Sequence, residues 1–400
     1  MENSVPGKHL RHQAAGHDGT LTDDEELLVF KPCAAQELAF YKQVQESYVV
    51  QTPANLEKVN SILEGGDVPF HYWIPSFLGV LEQGTHTVPD DNSYVYSQES
   101  LPITESSTPD SISFETRTNS STPMNIPIDI QSVSRSGTLT GSNNDTKSYI
   151  VLENLLKGYS KPNIMDIKLG KILYDSTTAS TEKMERLADV SANTTSGSLS
   201  FRICGMILDK NNNLLQEFIS NEGNSEYFTI EEDYVLLNKL FGRSRDESNI
   251  LHAINLFFNN TSLSTERQQY LKETFLKRLS LLYNTLLDTP VRMISSSLLY
   301  IYDSDSKRWD LLNDEDSIVR NNFLGSRIDS DNSDDDDNDD DGDNGDDDDD
   351  ENGNNNNSNQ CLSSLSLIDF AHSKFVAKEL GCDENVIVGV ENLIELFNNL

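Results

Sequence analysis

The sequence predicts an α+β protein, and three observations predict it. Short apolar runs rich in β-branched and aromatic residues are mixed with helical patterns, without the regular spacing of a parallel sheet. No internal repeat organises the chain. Two long stretches poor in large apolar residues interrupt it and read as disordered insertions, surface excursions that a core could not accommodate.

In chain order, Glu26–Lys31 (ELLVFK) reads as a strand, and Gln36–Val44 (QELAFYKQV) as a helix with Leu38, Tyr41 and Gln45 on one face. The aromatic, β-branched run His71–Leu81 reads as a strand near the core. From about residue 87 to 147, Ser, Thr, Asn, Asp and Pro dominate, giving the first insertion. Ser148–Leu156 (SYIVLENLL) has a buried-strand pattern, and Phe201–Leu208 (FRICGMIL) is another strand. Ser264–Asp288 is the clearest helix: Thr265 and Gln268 suit a capping box, and Leu271, Phe275, Leu279, Leu282 and Leu286 recur at helical spacing. Ser297–Tyr302 reads as a strand. The second insertion spans about 325–359. It is followed by a strand, Ser366–Phe370, and a helix from Asp383 with Val386, Val390, Leu393 and Phe397 on one face.

Composition narrows the function classes. The 400 residues carry a net charge of −36, which opposes direct binding to nucleic acid or an anionic membrane. Much of it is local: Asp329–Glu351 holds sixteen acidic residues and no Lys or Arg, leaving −20 for the rest (−36 less −16). Four scattered cysteines form no zinc or disulfide pattern and suit a reducing compartment. There is no secretory h-region near the N-terminus and no transmembrane run. The expected location is the cytoplasm or the nucleus; the resemblance described below implies the nucleus, with a cytoplasmic pool.

The chemistry-bearing residues sit at element ends. Lys31 closes an apolar strand and Glu37 opens the following helix, the usual disposition of a kinase-like Lys–Glu pair. Ala15–Gly19 (AGHDG) suits a turn that lets backbone approach phosphate. In Pro162–Gly170 (PNIMDIKLG), Asp166 and Lys168 alternate with Ile164, Ile167 and Leu169, so an extended segment presents both on one face. A half-buried edge strand with an exposed ion pair fits the same pattern. Asp369 closes LIDF, where a carboxylate suits either a metal ligand or a turn cap. No GxxxxGK[ST] loop is present, so a Walker-type ATPase is not supported.

Together these segments resemble the inositol polyphosphate kinase family. Its PxxxDxKxG signature is met by Pro162, Asp166, Lys168 and Gly170. AAGHDG (14–19), FKPCAAQELAFYK (30–42), SGSLSFRICGM (196–206), LFGRS (240–244), SSSLLYIYD (295–303) and LIDFAHS (367–373) occur around it in the family's order. The likeness is strongest to the fungal multikinase branch, which also carries an acidic run and is linked to arginine-responsive transcription.

The resemblance implies a two-lobed fold distantly similar to protein kinases: residues 1–155 as the ATP-binding lobe, and 156–400 as the larger lobe with an inositol-binding segment at about 176–200. It implies ATP and Mg2+ as cofactors and inositol phosphates as substrates. By position, Lys31 resembles the Lys on the ATP phosphates, and Glu153 and Leu155 the hinge residues whose backbone reads adenine. Asp166 and Lys168 resemble the catalytic pair, Asp166 holding the ribose and Lys168 lying near the transferred phosphate. Asp369, with Ser297 beside it, resembles the metal site, and His372 the residue facing the inositol ring. Lys183, Arg186 and Lys239 are the expected substrate cations, although Lys183 and its neighbours also fit a solvated helix face. Glu185 and Arg186 stand where Gln residues are usual in animal multikinases, which bears on regiochemistry. The branch implied is the multikinase, converting inositol 1,4,5-trisphosphate to tetrakis- and pentakisphosphates. The alternatives are a trisphosphate 3-kinase, a hexakisphosphate kinase, or a non-catalytic acidic scaffold whose tract binds transcription factors.

Overall fold

A computed structural model of the chain describes residues 8–10, 19–49, 68–82, 148–222, 226–320 and 361–400. The two expected insertions and residues 15–18 of the AGHDG turn lie outside the described residues. The remainder is α+β, with every strand pairing antiparallel.

The first sheet joins β1 (Lys8–His9), β2 (Leu21–Thr22), β3 (Leu28–Pro32), β4 (Phe77–Glu82) and β5 (Ser148–Glu153) in the order β1-β2-β3-β5-β4. Helix α1 (Ala35–Val49) follows β3. Strand β5 alternates as a central strand must: Ile150 and Leu152 enter the main core, while Tyr149 and Val151 pack with Phe30 and Leu81 on the other face.

The second sheet has six strands: β6 (Pro162–Leu169), β7 (Phe201–Asp209), β8 (Phe228–Ile230), β9 (Tyr234–Leu237), β11 (Ser297–Asp303) and β12 (Ser363–Ile368), in the order β12-β11-β6-β7-β9-β8. Between β9 and β11 in the chain comes β10 (Val291–Met293), which pairs with β13 (Ser373–Phe375) in a separate ribbon. Helices α2 (Thr181–Ala192), α3 (Thr195–Leu199) and α4 (Asn213–Glu222) are joined by α5 (Lys239–Arg243), α6 (Ile250–Phe258), α7 (Thr265–Asp288), α8 (Ser306–Leu311) and α9 (Glu384–Phe397). The predicted apolar faces of α7 and α9 are both buried. The main core is continuous from α1 through both sheets to α9.

Several expectations shift. His71–Leu81 is not one strand. Phe70–Trp73 forms a 3-10 turn, and β4 starts only at Phe77, beyond Pro75, which has no N–H for a ladder. The α1 stripe is Glu37, Phe40, Tyr41 and Val44 rather than Leu38, Tyr41 and Gln45; the buried Glu37 was invisible to an apolar count. The α7 cap is Ser264, whose hydroxyl accepts from the Arg267 N–H; Thr265 is already helical, and Gln268 donates instead to the carbonyls of Asn260 and Leu263. The edge-strand alternative for β6 falls, because β11 and β7 flank it.

Candidate active site

The site grows from the centre of the second sheet. Register aligns Ile368, Ser297, Lys168 and Arg202 across β12, β11, β6 and β7, so one row of side chains crosses four strands. One row away, Asp166 pairs with Leu299 and Gly205. A bulge between the two rows leaves Cys204 as the extra residue on β7. Burial, then the Asp166 charge, pushes its thiol pKa up.

Asp166 is almost wholly buried, and burial raises its carboxyl pKa from 3.8 to about 6. Lys168, Arg202 and the nearby Ser297 hydroxyl oppose that rise, while Asp369 adds to it. Asp166 Oδ1 and Ser297 Oγ each lack a protein hydrogen-bond partner. Such buried oxygens ask for a ligand. Lys168 Nζ donates to the Ser295 carbonyl at 2.6 Å, and Ser295 holds a left-handed backbone (φ 62°).

The first sheet delivers Lys31. Its ammonium donates to Glu37 Oε1 at 2.7 Å and to Asp369 Oδ1 at 2.8 Å. Burial by itself would lower the Lys31 pKa, but the two carboxylates outweigh it and the net shift is upward. Glu37 Oε1 also accepts from the Phe370 N–H, while Phe40 stacks on Phe370 with centroids 4.6 Å apart. The expected Lys–Glu pair is therefore welded to the segment carrying Asp369. Asp369 holds a left-handed backbone (φ 66°), and its Oδ1 pairs with Lys31.

Asp369 and Asp166 are hard oxygen donors of the kind magnesium takes, with Ser297 Oγ beside them. Among the described residues no three His, Cys, Asp or Glu side chains gather as a complete metal cage. One or two carboxylates open to phosphate oxygens suit a nucleotide-borne cation better than a structural one.

On the acceptor side, burial and then the Lys183 charge lower the His372 pKa, which favours the neutral imidazole. Lys168 adds to this, and Asp175 opposes it. Asp175 is held low by the Thr177 hydroxyl and N–H, with Lys374 and His372 contributing. Lys183 and Arg186 lie exposed on α2, whose N-terminus is capped by Ser180. Lys239 is exposed at the first position of α5, and no interaction among the described residues ties it to this group.

Glu153 ends β5. Its N–H donates to the Ser76 carbonyl (3.0 Å), its Oε2 accepts from the Ser76 N–H (3.2 Å), and its Oε1 pairs with Arg320. With its side chain and its N–H committed, the carbonyl is the group of Glu153 that can serve a ligand. Leu155 follows, largely buried, in a turn braced by Asn154, whose Nδ2 bonds the Glu26 carbonyl and whose Oδ1 takes the Leu156 N–H.

Sequence reasoning missed Arg202, Lys374, Asp175 and Arg320. Arg202 is a charge inside an apolar strand run, and Lys374 stands two residues from His372; both were readable signals. Nothing near Arg320 in the sequence points to Glu153.

A family model for inositol polyphosphate kinase matches residues 149–398. The chain is 46% identical over 390 residues to the inositol polyphosphate multikinase of Saccharomyces cerevisiae, covering 97% of each. It is 26% identical over 386 residues to that of Schizosaccharomyces pombe, covering 96% and 94%. Its fold is similar to the crystal structure of the S. cerevisiae inositol phosphate multikinase Ipk2 in complex with ADP and Mn2+. There the TM-score is 0.60 at 39% identity, over 93% of this chain and 98% of that one.

Proposed function

The chain belongs to the inositol polyphosphate kinase family and is an inositol polyphosphate kinase; on that premise we propose that it is an ATP-dependent multikinase. It would phosphorylate inositol 1,4,5-trisphosphate to tetrakis- and then pentakisphosphates. The observation that carries the reading is the Lys31 ammonium, held between Glu37 and Asp369, whose carboxylate in turn acts on the buried Asp166. Full-length similarity to curated multikinases, and to a structure with ADP and Mn2+, supports it.

In this reading the acceptor hydroxyl attacks the γ-phosphorus in line, the bond to the ADP oxygen breaks, the hydroxyl proton is released to solvent, and no covalent enzyme intermediate forms. The backbone of Glu153 and Leu155 reads adenine. Lys31 turns its charge to the nucleotide phosphates, and Asp166 fixes the ribose. A divalent cation, Mg2+ in the cell, held by Asp369 with Ser297 nearby, supplies charge neutralisation at the phosphates. Lys168 reaches the transferred phosphate and the acceptor. The neutral His372 faces the ring, while Lys183 holds substrate phosphates with Arg186 one turn on. Lys374 joins them as a further cation, and Lys239 drops to a peripheral role.

Product-resolved assay with inositol 1,4,5-trisphosphate tests the proposal. Accumulating pentakisphosphate is expected. Arrest at a tetrakisphosphate would favour the 3-kinase reading, and action on the hexakisphosphate alone the hexakisphosphate kinase.

The charge of residues 329–351 supports a second role beside catalysis. The tract would bind basic transcription factors in the nucleus, with part of the protein in the cytoplasm.

A further inference from the structure

A short strap, residues 316–320, follows α8 and runs back toward the first sheet. Its root is locked by Arg278, a guanidinium of α7 that is 1% exposed. Arg278 Nε donates to the Ile318 carbonyl (2.8 Å), and Nη2 to the Ser317 carbonyl (2.7 Å) and Asp316 Oδ2 (3.1 Å). The same side chain reaches Ser363 through its hydroxyl (2.6 Å) and carbonyl (3.0 Å). Asp316 Oδ1 in turn accepts from the N–H groups of Leu362 and Ser363. A fully buried Arg with every arm occupied is costly to displace, so the strap is fixed to the large lobe.

The end of that strap crosses to the other lobe. Arg320 pairs with the Glu153 carboxylate and donates from Nη2 to the Ile74 carbonyl at 3.2 Å. The pair is desolvated, with side-chain exposures of 8% and 1%. The other carboxylate oxygen of Glu153, Oε2, accepts from the Ser76 N–H. One guanidinium thus holds the end of β5 and the segment leading into β4 together.

We infer that Arg320 is a positioning residue for nucleotide recognition, fixing the Glu153 backbone at the purine from the large lobe through the strap. The inference rests on the reading of Glu153 and Leu155 as the adenine-binding hinge. Removing Arg320 frees the end of β5 to shift, and a misaligned hinge bond weakens purine binding about tenfold. Acceptor binding, organised on β6, α2 and β13, stays as it was.

The test compares the full chain with Arg320→Lys and with the paired variant Arg320→Met/Glu153→Gln, which leaves no unpaired buried charge. KM is measured for ATP, GTP, purine riboside triphosphate and the inositol phosphate, with thermal unfolding alongside. The parent protein should prefer ATP to the analogue lacking the 6-amino group. The paired variant should remain folded, raise KM for ATP about tenfold and lose most of that preference, with KM for the inositol phosphate within about twofold. Arg320→Lys should restore part of it. A folded paired variant that keeps the parent's ATP preference and KM overturns the inference while sparing the hinge. A fall in kcat with every KM unchanged also overturns it. A parent enzyme indifferent to the 6-amino group overturns the hinge reading, and the role of Arg320 with it.

Discussion

Gly170 lies directly against Asn385: a Cβ at Gly170 would meet Asn385 Nδ2 at 2.3 Å. The glycine that ends the signature segment is also in a region L side chains rarely adopt (φ 90°). Asn385 cannot step aside freely. Its Oδ1 accepts from the Lys171 and Ile172 N–H groups at 2.9 and 2.8 Å, closing the turn that leaves β6. Gly170→Ala should therefore cost about 1–3 kcal/mol in denaturant unfolding. Combined with Asn385→Ala, which removes the obstacle, the loss should fall short of the sum of the single changes. Strict additivity would show that the two residues do not oppose each other.

Asp369→Ala should abolish measurable turnover, a loss of at least about 10²-fold, while the protein stays folded. Lys31 keeps Glu37 as its partner in that variant. A steady-state assay beside circular dichroism checks both halves, and undiminished activity would end the metal assignment.

The raised carboxyl of Asp166 has a pH signature in the protein free of nucleotide and metal. Its pKa moves from 3.8 to about 6 on folding, so the native state holds this proton more tightly than the unfolded chain. The stability it contributes is complete below about pH 4 and declines as pH rises through 6, by about 3 kcal/mol in all. Asp166→Asn escapes that loss. The variant should gain stability over the parent between pH 4 and 7.5 while losing activity; a gap that does not change with pH would refute the buried-charge account.

Lys183→Ala and Lys374→Ala should each raise KM for the inositol phosphate about tenfold and leave KM for ATP unchanged. Lys239→Ala should change neither. If Lys239 alone matters, the acceptor lies nearer α5 than the His372 group suggests.

Deletion of residues 329–359 should leave kinase activity within about twofold, because the strap and its Arg278 anchor are retained, while weakening binding to a polybasic peptide measured by calorimetry at low salt. Loss of turnover would tie the tract to catalysis.

Much of this site was legible because its residues announce themselves locally. Asp166 and Lys168 alternate within one strand, Lys31 and Glu37 flank one turn, and both pairs stand as the pattern suggested. What could not be read is long-range. The meeting of Lys31 with Asp369, 338 positions apart, depends on Phe40 stacking over Phe370. Glu37 broke the apolar stripe of α1 because its partner, Lys31, makes a buried carboxylate tolerable. The cap of α7 slipped by one residue because Ser264 and Thr265 are chemically equivalent candidates, and only the backbone chooses between them.

Arg278 grips both Ile318 and Ser363, so the chain leaves at 320 and returns at 361 between shores already moored to one side chain. Folding already brings Ile318 and Ser363 together on that side chain. Lengthening the span between them costs only the slow logarithm of loop closure, about 0.6 kcal/mol for each doubling. The fold thus carries a splice port beside the Arg278 anchor, where the length of inserted sequence weighs on stability only through that small closure cost.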